Sequence, residues 1–307
     1  MSTAYLSHPD CLRHEMGPHH PECPQRLQAI EDQLILSRID CYLTRIDPPL
    51  ATEDQLALVH TREYIDNIKS HIPVSGHYAL DDDTSMNPHT WQAALRSAGG
   101  AIAAVDAVMK GEVKNAFTCL RPPGHHAEPH QAMGFCFFNN IAIAAKHALE
   151  HHGLKRVAII DFDVHHGNGT ESAFKNDPRV LMCSFFQHPF YPYSGADIHS
   201  PHMVNVPLPA YTDGASVREV VDVMWLPRLR EFKPQLILIS AGFDAHREDD
   251  MGQMALVEAD YAWITRQLMV IAHETANDRI VSCLEGGYNL SALARSVVAH
   301  LKELADL

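Results

Sequence analysis

The chain has 307 residues, of which 46% are hydrophobic and 20% charged, a composition that suits a large folded core and excludes a long disordered protein. The formal net charge of −14 argues against a nucleic-acid partner, because phosphate binding depends on clustered Lys and Arg, and it favours a cationic substrate. No secretory leader pattern and no apolar run of about 18 residues occurs, so we predict no membrane span and expect a cytoplasmic location.

The first predicted element is a helix over residues 24–37, in which Pro24 suits the first turn and Leu27, Ile30 and Leu34 share one face. Six further stretches have helical periodicity, and Gly111 and Gly153 are predicted to end two of them. They cover residues 53–71, 88–110, 140–152, 216–232, 260–275 and 291–307.

Short apolar runs lie between these helices and are predicted to be buried strands. They cover residues 116–120, 156–160, 180–186, 235–240 and 279–284. Strands that are apolar throughout and separated by helices indicate a mainly parallel sheet with helices on both faces. We therefore predict a three-layer α/β fold, as one domain over residues 1–307.

Polar motifs follow four of the predicted strands. The histidines His125 and His126 follow the first, residues 161–168 (DFDVHHGN) follow the second, and Asp244 and Tyr288 follow the fourth and fifth. Ligands of open parallel sheets bind at the carboxyl ends of the strands. These four motifs are thus expected to meet at one edge of the sheet.

Asp161, Asp163 and His165 have the spacing of a metal site, because residues i and i+2 of an extended segment face the same side. Asp244 is the candidate third ligand of a catalytic zinc, which needs three protein ligands and an open position. The alternative interpretation is that the aspartates cap a helix near Thr170 or occupy turns, and that the histidines are surface residues.

His125 and His126 follow a rigid Pro-Pro-Gly turn, and we interpret them as a general acid and base pair. Asp161 would orient one ring and Asn168 the other, which predicts unequal proton affinities for the two imidazoles. Tyr288 could donate a hydrogen bond to a carbonyl oxygen that becomes negative. A buried tyrosine with a satisfied hydroxyl is the alternative.

With these motifs, the chain resembles the zinc-dependent histone deacetylases and related bacterial deacylases. The motifs RPPGHHA, GFCFFNN, DFDVHHGNGT, SAGFDAH and EGGYN occur in the family's order between residues 121 and 290, and residues 19–27 (HHPECPQRL) resemble its N-terminal segment. The resemblance implies an arginase/deacetylase-like fold and hydrolysis of N-acyl amides to a carboxylate and an amine. It implies one zinc per chain on Asp163, His165 and Asp244, catalysis by His125 and His126, and carbonyl activation by Tyr288.

The resemblance also implies secondary sites. A substrate tunnel would be lined by Gly134, Phe135, Phe190 or Tyr191, and Gly287, although the aromatic residues could equally be ordinary packing. A structural K⁺ would lie near Asp161, Asp163, His165, Ser184 and Phe185. Arg26 would border a product channel, with a surface helix arginine as the alternative, and Asn168 in place of an aspartate makes the chain similar to the class II branch.

The sequence is compatible with several functions. Acyl-lysine in proteins or peptides is the leading substrate, since polyamine-selective relatives carry a glutamate where this chain has Met251. Acetylpolyamines or other small N-acyl amines are the alternative, and the acidic triplet 81–83 could attract either cation, although it could also be a solvated loop. An arginase-like two-manganese hydrolase and a non-catalytic acyl-binding module are the alternatives of other classes. The oligomeric state is left open, a homo-oligomer included.

Overall fold

The computed structural model describes residues 2–197 and 200–307. The strands are β1 (Thr3–Leu6), β2 (Leu43–Ile46), β3 (Tyr78–Ala79), β4 (Ser85–Met86), β5 (Asn115–Thr118), β6 (Val157–Asp161), β7 (Val180–Gln187), β8 (Met203–Leu208), β9 (Leu236–Ala241) and β10 (Ile280–Leu284). The α-helices are α1 (Gln25–Ser37), α2 (Glu53–Leu56), α3 (Arg62–Ser70), α4 (Thr90–Met109), α5 (Asn140–Glu150), α6 (Asn168–Phe174), α7 (Gly214–Val220), α8 (Leu226–Phe232), α9 (Glu258–Thr275) and α10 (Leu290–Leu304).

Eight strands form one parallel sheet in the order β2-β1-β5-β10-β9-β6-β7-β8, while β3 and β4 pair as a separate antiparallel hairpin. The four strands followed by polar motifs, β5, β10, β9 and β6, are neighbours in the middle of the sheet. Their carboxyl ends therefore lie side by side at one edge, which we call the carboxyl edge.

Side-chain alternation along the strands divides the core between the two faces of the sheet. In β6, Ala158 and Ile160 pack into a core with α1, α9 and α10, whereas Val157 and Ile159 pack into a second core with α4 and α5. Both faces of the sheet are thus covered by helices, which confirms the predicted three-layer α/β fold.

All five predicted strands are present, with ends that differ by at most a few residues. The prediction missed β1, β2 and β8 and the small hairpin. β2 and β8 lie at the two edges of the sheet, where one side needs no pairing. β8 also contains Pro207, which an edge strand tolerates. Because proline within an apolar run argues against a strand, β8 was not predicted.

Two predicted helices are interrupted. Residues 53–71 form α2 and α3 instead of one helix, because Thr61 leaves the helix and accepts a hydrogen bond from the Tyr64 N–H as a new N-cap. Residues 216–232 contain a π-helical turn at Val221–Trp225 between α7 and α8. The short helix α6 was considered only in the alternative interpretation, in which the aspartates cap a helix near Thr170. Its N-cap is Gly167, with no side-chain hydrogen bond, so the aspartates do not cap it.

The helices and the cysteines bear on membrane spans and on disulfide bonds. No helix in residues 2–197 and 200–307 is both long and apolar enough to cross a bilayer. Cys11, Cys23, Cys41, Cys119, Cys136, Cys183 and Cys283 are all free thiols.

Candidate active site

The loops after β5, β6, β9 and β10 bring the predicted site residues together at the carboxyl edge. Strand pairing sets their depth, because Asp161 at the end of β6 lies opposite Ser240 of β9 and Ser184 of β7. The metal and catalytic candidates that follow these strands are buried, except Tyr288, which is partly buried. The parallel register thus brings motifs that are far apart in the sequence into one cluster.

The three proposed metal ligands lie in contact. Asp163, His165 and Asp244 each direct one ligand atom into a space where these atoms are within 4.8 Å of one another. His165 Nδ1 is 3.0 Å from Asp163 Oδ1 and 3.2 Å from Asp244 Oδ2. Asp244 Oδ2 is buried with no hydrogen-bond partner among the described residues. Two buried carboxylates and an imidazole, with one oxygen unsatisfied, form a donor set that fits a zinc ion.

The electrostatics of the two carboxylates also favour a cation. Burial and the negative charge of Asp163 raise the pKa of Asp244 to about 7. Two carboxylates this close do not both ionise readily in a buried site unless a positive charge lies between them. A divalent ion held by both would supply that charge.

Backbone groups hold the ligand carboxylates in place. Asp163 Oδ2 accepts a hydrogen bond from the Gly286 N–H at 2.9 Å, and Asp244 Oδ1 accepts one from the Val164 N–H at 2.8 Å. Gly286 must be glycine, because a Cβ there would lie 2.0 Å from Asp244 Oδ2 and 2.5 Å from Asp163 Oδ2. The loop after β10 therefore closes directly over the ligand set.

The two adjacent histidines have different partners. His125 Nδ1 donates to Asp161 Oδ2 at 3.0 Å, and His126 Nδ1 lies 2.8 Å from Asn168 Oδ1. The Asn168 amide donates its Nδ2–H to Glu128 Oε1 at 2.9 Å, so that its oxygen faces His126. The His126 proton is thereby assigned to Nδ1, which leaves Nε2 free to accept a proton.

The proton affinities of the two rings differ as predicted. Burial lowers the pKa of His125, but the charges of Asp163 and Asp161 outweigh it and hold this pKa well above the usual value. A cation on Asp163 would weaken that effect. Burial, together with the neighbouring His125 and His165, holds the pKa of His126 well below its usual value. His126 is therefore neutral near pH 7.

The loop that carries Tyr288 is anchored from two sides. Asp249 Oδ2 accepts the N–H groups of Tyr288 and Asn289 at 2.6 and 2.9 Å. Arg26 donates to the carbonyls of Gly287 and Glu285, at 2.6 and 2.5 Å. Burial and the charge of Asp244 hold the pKa of Tyr288 well above its usual value, so the phenol keeps its proton and can donate it in a hydrogen bond.

Arg26 is fully buried, so the alternative that it is a surface helix arginine is wrong. It forms an ion pair with Glu22 and lies with Cζ 4.9 Å from the centre of the Tyr288 ring. These contacts make Arg26 a support for the Tyr288 loop. Its role beside a product channel stays a prediction.

Two buried acids in the site were not identified from the sequence. Glu285 accepts the N–H groups of Gly124 and His125 at 2.7 and 3.1 Å and thereby fixes the loop that carries the histidine pair. Its position at the end of an apolar run was a usable signal. Asp249, which anchors Tyr288, lies in an irregular loop without periodicity, and no sequence signal indicated it.

A cavity of about 310 Å³ leads to the site. Its walls include His126, His165, Tyr288, Gly134, Phe135, Phe190, Tyr191, Asp83, Asp250 and Met251. Phe190 stacks on His165 with ring centres 5.5 Å apart, and Tyr191 meets His126 edge-on at 5.3 Å. A Cβ on Gly134 would lie 2.4 Å from the His126 ring, so this glycine lets the wall approach the ring.

The other predicted positions lie close to this cavity or beneath it. Gly287 is not among the lining residues, and a Cβ built on it would lie 2.8 Å from the Leu293 side chain and 3.2 Å from Phe243 Cβ. Of the predicted K⁺ residues, Asp161 lies beside Ser184 in the sheet. Phe185 directs its ring into the core, where it stacks on Trp225.

Known proteins resemble this chain in both sequence and structure. Residues 20–304 match the histone deacetylase domain family. The chain is 35% identical to a histone deacetylase-like amidohydrolase of Pseudomonas aeruginosa, over 99% of the chain and 86% of that protein. It is 36% identical to the polyamine deacetylase HDAC10 of Homo sapiens, over 99% of the chain and 48% of that protein. The crystal structure of the HDA15 HD domain matches 99% of this chain and 90% of its own with a TM-score of 0.94 and 34% identity.

The family match spans most of the chain, and the solved structure shares both its fold and more than a quarter of its sequence. The geometry of the buried donor set is independent of these comparisons and agrees with them. The chain therefore belongs to the histone deacetylase family, a family of zinc-dependent amidohydrolases.

Proposed function

We propose that the chain hydrolyses acyl-lysine side chains of proteins or peptides, giving a free amine and a carboxylate, within one catalytic domain over residues 1–307. The observation that carries the proposal is that Asp163, His165 and Asp244 meet beside His126 and Tyr288 at the end of one cavity. An amide that enters this cavity would meet a cation, a base and a hydrogen-bond donor together.

Asp163, His165 and Asp244 would hold one zinc ion. When bound, zinc polarises the amide carbonyl and lowers the pKa of a water molecule, which makes water a nucleophile at neutral pH. A K⁺ ion near Asp161, Asp163, His165, Ser184 and Phe185 is part of the same proposal. The pairing of Asp161 with Ser184 supports it, because it places a carboxylate and a hydroxyl side by side.

His126 would take the proton of the attacking water at Nε2 and later return it to the leaving amine. Its low pKa makes the ring neutral, and it is the member of the histidine pair that lines the cavity. His125, held by Asp161, would stay protonated and stabilise negative charge that develops nearby. Proton transfer by a positioned side chain contributes roughly 100- to 10,000-fold to such reactions.

Tyr288 would donate its phenolic hydrogen to the carbonyl oxygen as that oxygen becomes negative. Its hydroxyl stays protonated, and Asp249 and Arg26 fix the backbone around it. A donor fixed in advance is effective because it needs no reorganisation during the reaction.

The walls of the cavity suit an acyl group on a cationic chain. Phe135, Phe190 and Tyr191 supply apolar surface, and Asp83 and Asp250 place carboxylates in the same lining. A second candidate substrate is an acetylpolyamine. It is favoured by Asp250, which lies next to Met251 in the wall and could attract a second amine of the substrate.

The experiment assays acetyl-lysine peptides and acetylpolyamines side by side, with and without a chelator. We expect activity on both to depend on the metal and kcat/KM to be higher for the peptides. A higher kcat/KM for the polyamines, reduced in Asp250→Asn, would transfer the assignment to the second candidate. Hydrolysis that survives complete removal of metal would contradict the zinc mechanism.

A further inference from the structure

A second group of metal-binding side chains lies at the opposite edge of the sheet. α5 begins at Asn140, beside the catalytic loops, and ends at Glu150, just before the connection to the start of β6. His147 is in its last turn, and His151 and His152 follow directly. This end of α5 lies where the strands begin, which we call the amino edge, so the group is separated from the active site by the length of the strands.

The three imidazoles converge. His147, His151 and His152 each offer one ring nitrogen, and these three atoms lie within 4.8 Å of one another. The rings of His147 and His151, one helical turn apart, stack with centres 4.7 Å apart, and His152 meets both rings edge-on. Two histidines at positions i and i+4 present their rings on the same side, the spacing by which helices bind zinc.

A carboxylate from the neighbouring helix completes the group. Asp106, in the last turn of α4, lies with Oδ1 2.7 Å from Nε2 of His147 and 2.7 Å from Nε2 of His152. Ligand atoms bound at 2.0–2.1 Å to a tetrahedral zinc lie about 3.3 Å apart, so the carboxylate would have to move back by about 0.6 Å. The Asp106 side chain is 30% exposed and free to make this shift.

The chemistry of the four side chains also suits a metal. A neutral imidazole is the form that binds metals, and Asp106 adds one carboxylate. A single divalent ion could accept a lone pair from each of the four side chains.

We propose that His147, His151, His152 and Asp106 form a second metal site, selective for a divalent transition ion such as Zn²⁺, and call it the amino-edge cluster. Imidazole and carboxylate ligands in a four-coordinate arrangement suit Zn²⁺ and its neighbours Ni²⁺ and Cu²⁺. All four positions are filled by protein, so the ion has a structural role. It ties the end of α4 to the end of α5.

A second metal site at the amino-edge cluster affects how the number of metal ions per chain is interpreted. An active chain that binds two ions would resemble a two-metal hydrolase, although one ion would lie far from the reacting atoms. Stoichiometry therefore has to be measured on variants that lack one site at a time.

The test is equilibrium dialysis of the chelator-treated protein against Zn²⁺, with zinc counted by mass spectrometry. We expect two zinc ions per wild-type chain and one in His151→Ala/His152→Ala, with unchanged deacylase turnover after zinc is restored. Asp106→Asn, which keeps all three imidazoles, should bind the second ion at least about tenfold more weakly.

The matched control is His77→Ala/His273→Ala, which removes two exposed histidines elsewhere and should keep both ions. Equal zinc counts for wild type and His151→Ala/His152→Ala would overturn the proposal, as would an equal loss in the control. Because Asp244→Asn should lose the catalytic ion and keep this one, failure of the amino-edge site and failure of the catalytic site give different results.

Discussion

At the carboxyl edge, His125, His126 and His165 are all buried, whereas at the amino edge only His147 of the three histidines is buried, His151 is exposed and His152 is half-buried. Both edges bring imidazoles against aspartate carboxylates at hydrogen-bonding distance. Neighbouring charges separate the two histidines of the catalytic pair. The carboxylates of Asp163 and Asp161 hold the pKa of His125 above its usual value, whereas burial and the neighbouring imidazoles hold the pKa of His126 below it. The carboxyl edge also adds a cavity lined by the phenol of Tyr288 and by two histidines of the site. Converging ligand-type residues are thus enough for the metal site proposed at the amino edge, while the proposed catalysis also needs unequal proton affinities and access for a substrate.

The largest difference between the edges should come from removing one ligand carboxylate from each. Asp244→Asn takes away a charged ligand of the catalytic ion, so turnover should fall by more than the roughly 100- to 1,000-fold expected for losing one oxyanion donor. Asp106→Asn should leave turnover unchanged. The measurement is kcat/KM on an acetyl-lysine peptide together with bound zinc. An Asp244→Asn protein that keeps a tenth of wild-type turnover would contradict the proposed difference between the two edges.

Tyr288→Phe should have the next largest effect. The change removes only the hydroxyl, so kcat should fall roughly 100- to 1,000-fold while KM changes little. The control is Tyr42→Phe, near the start of β2. Tyr42 is 59% exposed, and this change should leave kcat and KM unchanged. Steady-state kinetics on both proteins provide the readout, and equal rates for Tyr288→Phe and wild type would refute the role of the phenol.

Asp249→Asn tests the support behind Tyr288. Asp249 Oδ1 accepts the Met251 N–H, and Oδ2 accepts the N–H groups of Tyr288 and Asn289. An asparagine at this position would have to direct its NH₂ group at one of these N–H donors, so at least one hydrogen bond would be lost. Displacing the phenol should lower kcat by up to about 100-fold. Asp278→Asn at the amino edge is the control. Loss of substrate affinity at normal kcat would assign Asp249 to binding instead.

Asn168→Asp should have the smallest effect at its optimal pH. A carboxylate beside His126 favours the protonated ring and raises its pKa by about 1 to 3 units. Because His126 must be neutral to take a proton, the acidic limb of the kcat/KM profile should move to higher pH, with turnover recovered above it. Asn277→Asp is the control. An unshifted acidic limb would show that His126 is not the titrating base.

The strands and the ligand set were predictable because their signals are local. The apolar runs before His125, Asp163 and Asp244 identify buried strands, and a parallel sheet brings their carboxyl ends together. The edge strand β8 escaped prediction because Asn205 and Pro207 interrupt its apolar pattern.

Other features depend on contacts between residues far apart in the sequence. Glu285 acts through the N–H groups of Gly124 and His125, some 160 residues away, and no pattern around it specifies that contact. Asp106 joins His152 in the same way, through the packing of α4 against α5. Such roles require the three-dimensional arrangement, whereas the family motifs required only order and spacing.

The most direct test of the account is an anomalous difference map, collected at the zinc absorption edge from crystals of the active protein. We predict a strong peak bonded to Asp163, His165 and Asp244 at about 2.0–2.2 Å, with the cavity leading to it. An active crystal with no metal among these three side chains would contradict the account.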